Sequence, residues 1–237
     1  MALKENVKAF DEDVAENDGY LYTTHPSYSS RVANERLQKA VLDNIATTDH
    51  TVLDVGCGDG TSTNDLRVRR AGITISGLDP AERAISRARK LYPEISFFVA
   101  DVLDANSLPK SRYDLVIFRG VLHHLANPEL AIANVAQITS RILIIEPNGN
   151  NPVLKQIEKR SEYHVKHEEQ SFAPGLLRKW CNNAQFTVVQ QRFAGFVPFF
   201  FPTALAKMLH FLQPLLERVP IIRRYFSAVV VLVAERR

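Results

Sequence analysis

Short apolar runs separated by helix-length segments fill residues 51–147 of this chain. The runs at 51–55, 73–78, 95–100, 114–118 and 142–145 are each four to six residues long and each ends in turn residues or an acid. Continuous apolar stretches of that length suit strands buried on both faces, as in a parallel sheet. The segments between them carry helical periodicity. Ala81, Ala84, Ile85, Ala88 and Leu91 share one face, and a second helix is predicted from Pro128 through Ile138. Strand and helix in regular alternation imply βαβ units with right-handed crossovers. The expected fold class is therefore α/β: a doubly wound, mostly parallel sheet.

The flanks are read with the same rules. Residues 1–19 are polar and acidic and are expected to dock loosely. A helix is predicted over 31–46, with Leu37, Val41 and Ile45 four apart. Beyond Asn148 the rhythm changes. A polar helix is predicted over 152–169 and another over 174–183, with Ser171 as its cap. Strands are predicted at 186–192 and 228–234, enclosing a proline-punctuated, partly helical apolar segment at 195–225.

With 237 residues, 46% of them hydrophobic, the chain can bury one substantial core. Its net charge of +3 is unevenly spread. Residues 1–150 hold 16 Lys and Arg against 20 Asp and Glu, and residues 151–237 hold 13 against 6. Nucleic acid is not an expected partner, because no basic helix carries interleaved stacking aromatics near the site. Two cysteines, Cys57 and Cys181, do not make a disulfide framework, so a reducing, cytoplasmic setting is expected. No secretory leader and no spanning helix is read. The sequence leaves oligomeric state open.

The most specific string is Val52-Leu53-Asp54-Val55-Gly56-Cys57-Gly58-Asp59-Gly60-Thr61. A buried strand runs into glycines that permit a tight turn and close approach of a ligand, and a helix N-terminus follows. A dinucleotide would want G-x-G-x-x-G and a pyrophosphate over that N-terminus. Here the third glycine is misplaced and Asp59 puts negative charge where the pyrophosphate would lie. Asp79 follows Asp54 by 25 residues, at the end of the next strand, where an acid can accept two ribose hydroxyls. It can equally cap the helix that begins at Pro80. Asp101 ends the third strand, either as a ligand-binding acid or as a turn residue.

These strings resemble motif I and the following motifs of class I S-adenosylmethionine (SAM) dependent methyltransferases, over roughly 30–194 and 226–237. The resemblance implies a seven-stranded Rossmann-like sheet whose last strand is antiparallel beside the fifth, and SAM as cofactor. It places Gly56, Cys57 and Gly58 against the methionine part of SAM and Asp54 on its amino group. It places Asp79 and Pro80 at the ribose, and Asp101 and Val102 at the adenine. Arg119, Gly120, His123 and His124 follow the fourth strand, where the family's backbone passes the methionine and its side chains face the acceptor. His124 is read as nearer the acceptor, with His123 the alternative base. Tyr22, with Tyr20 and Tyr28, resembles the family's N-terminal lid over SAM, within an arm at 1–30; the plain reading packs these rings on the sheet edge.

Acceptor-side candidates are Asn148 and Asn151, which equally suit a turn that ends the strand, and His167, which with His164, Glu168 and Glu169 forms a polar cluster on an exposed helix. Its spacing does not match a zinc motif, and no metal is expected. Insertions at about 149–173 and 195–226 are expected to cap the acceptor side of a single domain covering 31–237. The apolar segment 195–225, flanked by Arg218, Arg223 and Arg224, suits a helical cap, a dimer surface or a peripheral membrane contact. The expected reaction is transfer of a methyl group to an oxygen or nitrogen of a small-molecule acceptor, amphiphilic or lipid-linked in one reading. The alternative is a SAM-binding regulatory or partner subunit without turnover.

Overall fold

The computed structural model describes residues 25–160, 170–199 and 201–236, with backbone alone at 160. Helix α1 (Tyr28–Leu42) opens on Ser27, whose hydroxyl accepts from the Ser30 N–H. The alternating part follows as β1 (Thr51–Val55), α2 (Thr61–Arg69), β2 (Thr74–Asp79), α3 (Glu82–Leu91), β3 (Ser96–Val99), β4 (Leu115–Arg119), a 3-10 turn (Leu122–His124), α4 (Pro128–Val135) and β5 (Arg141–Pro147). The remainder is α5 (Pro152–Arg160), α6 (Pro174–Asn183), β6 (Thr187–Ala194), α7 (Thr203–Leu216), α8 (Pro220–Phe226) and β7 (Val229–Glu235).

The seven strands form one sheet in the order β3-β2-β1-β4-β5-β7-β6. The first five strands pair in parallel, and β7 lies antiparallel to both β5 and β6. The order reverses between β1 and β4, so the carboxyl ends of these strands open a crevice there. The expected doubly wound sheet and its antiparallel last strand are both present.

Alternation along each strand divides the core in two. Leu53, Val55, Val116, Phe118, Ile142 and Ile144 face one way, against Ile132 of α4 and Leu177 of α6. Val52, Ile75, Leu115, Ile117, Leu143 and Ile145 face the other, against Val41 of α1, Leu66 of α2 and Ile85 of α3. The central strands are therefore apolar at consecutive positions, which is why they read as unbroken runs.

Two local expectations change, and a third falls partly outside the described residues. The helix expected over 31–46 starts three residues earlier, at its Ser27 cap, and stops at Leu42. Ser171 does not cap α6: Ala173 stands at the N-cap, without a side-chain bond. The helix predicted over 152–169 is described as far as Arg160, and residues 161–169 lie outside the described residues.

Candidate active site

The loop after β1 turns on Gly56, Gly58 and Gly60, all with positive φ, between +55° and +77°. Gly60 is the N-cap of α2, and a Cβ there would come within 2.7 Å of the Phe97 ring. With no side chain of its own to cap the helix, the loop uses Asp59, whose carboxylate accepts from the Thr61 N–H at 3.1 Å. A buried negative charge thus occupies the α2 N-terminus, where an incoming phosphate would otherwise be favoured.

Asp79, at the end of β2, is bound through both oxygens: Oδ2 accepts from the Gly58 N–H at 3.0 Å and Oδ1 from the Ala81 N–H at 2.9 Å. It pins the glycine loop to the next crossover, and Asp79 forms part of a cavity wall. Asp101 sits two residues beyond β3 and accepts from the Leu103 N–H at 2.9 Å, so the turn role is present. Asp101 and Val102 line the same cavity.

Asp54 is placed differently from expectation. It is buried behind the cavity wall, accepts from the Thr63 hydroxyl at 2.7 Å and lies 3.8 Å from the Arg119 guanidinium. Burial pushes its carboxyl above the usual range, against the pull of Arg119 and Thr63. The expected direct contact of Asp54 with a ligand amino group has no support from this placement: Arg119, not Asp54, reaches the wall. Arg119 is steered in turn by Gln38 on α1, which accepts from it at 2.6 Å and donates to Asp65 and to the Ser62 carbonyl. The sequence reading missed Gln38. The available signal was a polar residue in the buried stripe of a helix, three before Val41.

At the end of β4, Gly120 takes a positive φ and the chain enters the 3-10 turn. Glu146 of β5, fully buried, organises that turn. Its Oε1 accepts from the Val121 and Leu122 N–H groups at 2.9 and 2.8 Å, and its Oε2 lies 2.7 Å from His123 Nδ1. An ionised carboxylate only accepts, so in this contact Nδ1 is the donor side of the imidazole and Nε2 is turned to the other edge of the ring. His124 lies beside it, with ring centroids 3.8 Å apart and the rings tilted by 42°, and both histidines line the cavity. Glu146 was read only as a strand end, although a buried acid in an apolar strand is the kind of residue that needs a stated partner.

Asn148 and Asn151 are placed away from the expected acceptor side. Both are buried and absent from the cavity wall. Asn148 Nδ2 donates to the Arg224 and Ser227 carbonyls at 3.0 and 3.2 Å. Asn151 donates to the Ser227 carbonyl and accepts from the Val153 N–H at the start of α5. Their amides fasten the loop after β5 to the entry of β7, the turn role weighed beside the acceptor role. Tyr22 and His167, with the rest of the His164–Glu169 cluster, lie outside the described residues. Tyr28 is described: its hydroxyl is 2.7 Å from His210 Nδ1 on α7, so its ring meets the C-terminal helix rather than the sheet edge.

These groups converge on one cavity of about 450 Å³ over the carboxyl edge of β1, β2, β4 and β5. The glycine loop, Asp79 and Asp101 make one end. Val32, Ala33, Arg36 and Leu37 of α1 form a side. Leu154 and Ile157 of α5, Ser171, the 194–199 segment and Gln213 of α7 close the other end. Among the described residues no cluster of ligating side chains could hold a metal ion. The cavity fits SAM: its cofactor end offers carboxylates and glycine backbone, suited to hydroxyls, amino groups and a cation, and Asp59 fills the anion-binding helix end.

A family model described as a methyltransferase domain matches residues 27–191. The chain is 35% identical over 113 residues to a trans-aconitate 2-methyltransferase from Delftia acidovorans, an overlap covering 46% of this chain and 42% of that protein. It thus matches less than half the length of that relative. A SAM-dependent methyltransferase from Thermotoga maritima is similar in structure, with a TM-score of 0.70 at 16% identity over 98% of this chain and 100% of that one. A magnesium protoporphyrin IX methyltransferase from Synechocystis PCC 6803, solved with bound SAH, gives a TM-score of 0.57 at 18% identity over 89% and 84%. At those identities the likeness is one of fold.

Proposed function

The chain belongs to the methyltransferase-domain family, the class I SAM-dependent methyltransferases, and on that premise we propose that it transfers a methyl group from SAM to an oxygen or nitrogen of a small, amphiphilic molecule. The observation that carries the reading is the convergence of Asp79, Asp101 and the Glu146-held His123 on one cavity. SAM supplies an electrophilic methyl group on a sulfonium that leaves readily. Asp79 holds the ribose hydroxyls and Asp101 the adenine amino group, with Val102 beneath the ring. Arg119 and Gly120 shape the floor beside the methionine portion, Arg119 being held by Asp54 and Gln38.

His123 is the favoured base. Glu146 orients the ring through Nδ1, so Nε2 is the nitrogen that takes the proton from an acceptor hydroxyl; an amine acceptor needs less help. His124 lines the acceptor side beside it. The described parts of the 149–173 and 195–226 segments act as the acceptor-side cap, excluding water from the transfer. Leu154, Ile157 and Val197 suit an apolar acceptor body, and the buried Ser171 hydroxyl, without a hydrogen-bond partner among the described residues, suits a polar group on it. Trans-aconitate, the acceptor named for the relatives, supports the small-molecule class. A histidine already oriented for proton transfer favours turnover over a regulatory subunit.

Calorimetry with SAM tests the cofactor half: Asp79→Ala should weaken binding at least ten-fold (about 1.4 kcal/mol). Unchanged affinity removes the ribose assignment. Label transfer from methyl-tritiated SAM into a cell extract tests turnover. His123→Ala should slow it by about 10²–10⁴-fold with SAM affinity retained, and His124→Ala less. Full activity in His123→Ala would leave the transfer without this base.

A further inference from the structure

Helix α7 is inverted relative to an ordinary surface helix. Its buried side is Ala206 and Gln213, seven residues apart. The opposite side presents Leu205, Met208, Phe211 and Leu215 to solvent, with Phe211 84% exposed. Helix α8 buries none of its residues and continues the apolar surface with Ile221, 71% exposed, and Phe226. Amphipathic helices normally turn such side chains inward. Contiguous apolar exposure of this extent marks a docking surface.

The charge around it points to the occupant. Lys207, Arg218, Arg223 and Arg224 are all exposed on the same two helices and the link between them. The only acid in 201–226 is Glu217, which is taken up internally: it pairs with Arg36 of α1 and accepts from Gln213 at 3.1 Å. The exposed field is therefore positive around an apolar centre. No helix among the described residues is long and apolar enough to cross a membrane. An apolar face rimmed by cations on helices too short to span matches a helix pair lying in the headgroup layer of an anionic bilayer. A protein partner of matching shape would also cover apolar side chains, but it would not call for four cations and no free acid.

We propose that α7 and α8 dock on an anionic lipid surface, with Phe211 and Ile221 inserted among the acyl chains and the four cations at the headgroups. Gln213, on the far side of α7, lines the site cavity, so the docked face lies one helix away from that cavity. The docking does not depend on the methyl-transfer reading, and its test reads no activity.

Sedimentation of the full chain with sucrose-loaded vesicles is the measurement. Vesicles of one part phosphatidylglycerol to two parts phosphatidylcholine should pellet the protein, phosphatidylcholine alone should pellet little, and added salt should release it. Arg218→Gln and Arg223→Gln together should lower partitioning by roughly five-fold for each cation removed. Phe211→Ser with Ile221→Ser should lower it further with no fall in Tm, because both side chains are exposed. Absence of pelleting on the anionic vesicles overturns the proposal. So does pelleting that the two arginine changes leave untouched. A dimer seen by light scattering and dissociated by Phe211→Ser would assign the face to a second copy and overturn it as well.

Discussion

At Cys57 burial and three neighbouring carboxylates act in one direction. Removal from water, then Asp79, Asp54 and Asp59, push the thiol well above its ordinary range. Cys181, buried between α6 and the sheet, is pushed up to about 12, chiefly by burial. A thiol attacks only as the thiolate, so neither is a nucleophile at neutral pH. A disulfide-exchange reagent at pH 8 should label neither cysteine in the folded protein and both in guanidinium. Rapid labelling of native protein would mean that the glycine loop opens, and SAM should then slow it. The same neighbourhood shows what a sequence discloses about single residues. Asp79 and Asp101 could be placed beside the cavity from sequence because Asp79 ends β2 and Asp101 lies just past β3. The burial of Asp54 was not legible, because its position one residue before the end of β1 decides between cavity and core. Gln38 and Glu146 were missed because their partners, Arg119 and His123, lie 81 and 23 residues away.

At the scale of elements, the loop joining β1 to α2 depends on backbone that only glycine adopts cheaply. Gly60→Ala would place a Cβ at φ +77° against the Phe97 ring and the Ala88 methyl. It should cost about 2 kcal/mol or more, a fall in Tm of roughly 4–8 °C. Gly72→Ala is the control. It shares a positive φ but meets nothing within 4 Å, so its cost should stay near 1 kcal/mol. Equal losses in the two would mean that packing at Phe97 is irrelevant. The lower edge of the sheet has its own tie. Asp114, just before β4, accepts from Thr51 N–H and Oγ1, each at 2.8 Å, and from the His50 N–H at 2.9 Å. The bonds to Thr51 lead in holding its carboxyl below the usual range. That contribution is complete above the unfolded carboxylate pKa of about 4 and is lost as pH falls through the lower folded value. Asp114→Asn should therefore lower Tm at pH 7 by roughly 2–4 °C. The gap to the parent should close in thermal melts taken toward pH 3; a constant gap would remove the ionised carboxylate from the account. Strand and helix existence was legible at this scale because both sheet faces are covered. Boundaries moved where side-chain caps and turns, such as Ser27 before α1, decide the ending.

Across the whole molecule, α1 joins parts that the sequence keeps far apart. Its middle lines the cavity through Ala33 and Leu37, and Gln38 holds Arg119 at the cavity floor. Its first residue, Tyr28, meets His210 of α7, and its Arg36 pairs with Glu217 at the end of that helix. Such links between 28–38 and 207–217 were not readable from either segment, since nothing in the one shows which polar side chains of the other it meets. A ligand held between the glycine loop and α1 would order α1, and through these side-chain links the 194–199 segment and α7 that share the cavity wall. Hydrogen exchange with and without SAH reads this directly. Binding should slow exchange in the 56–60 loop and also in α1 and α7, although α7 touches the cavity mainly through Gln213. In Arg36→Met with Tyr28→Phe, the loop should keep its protection and α7 should lose most of it. Protection confined to the loop in the parent protein would mean that the cofactor end and the cap respond independently, and that α1 carries no coupling between them.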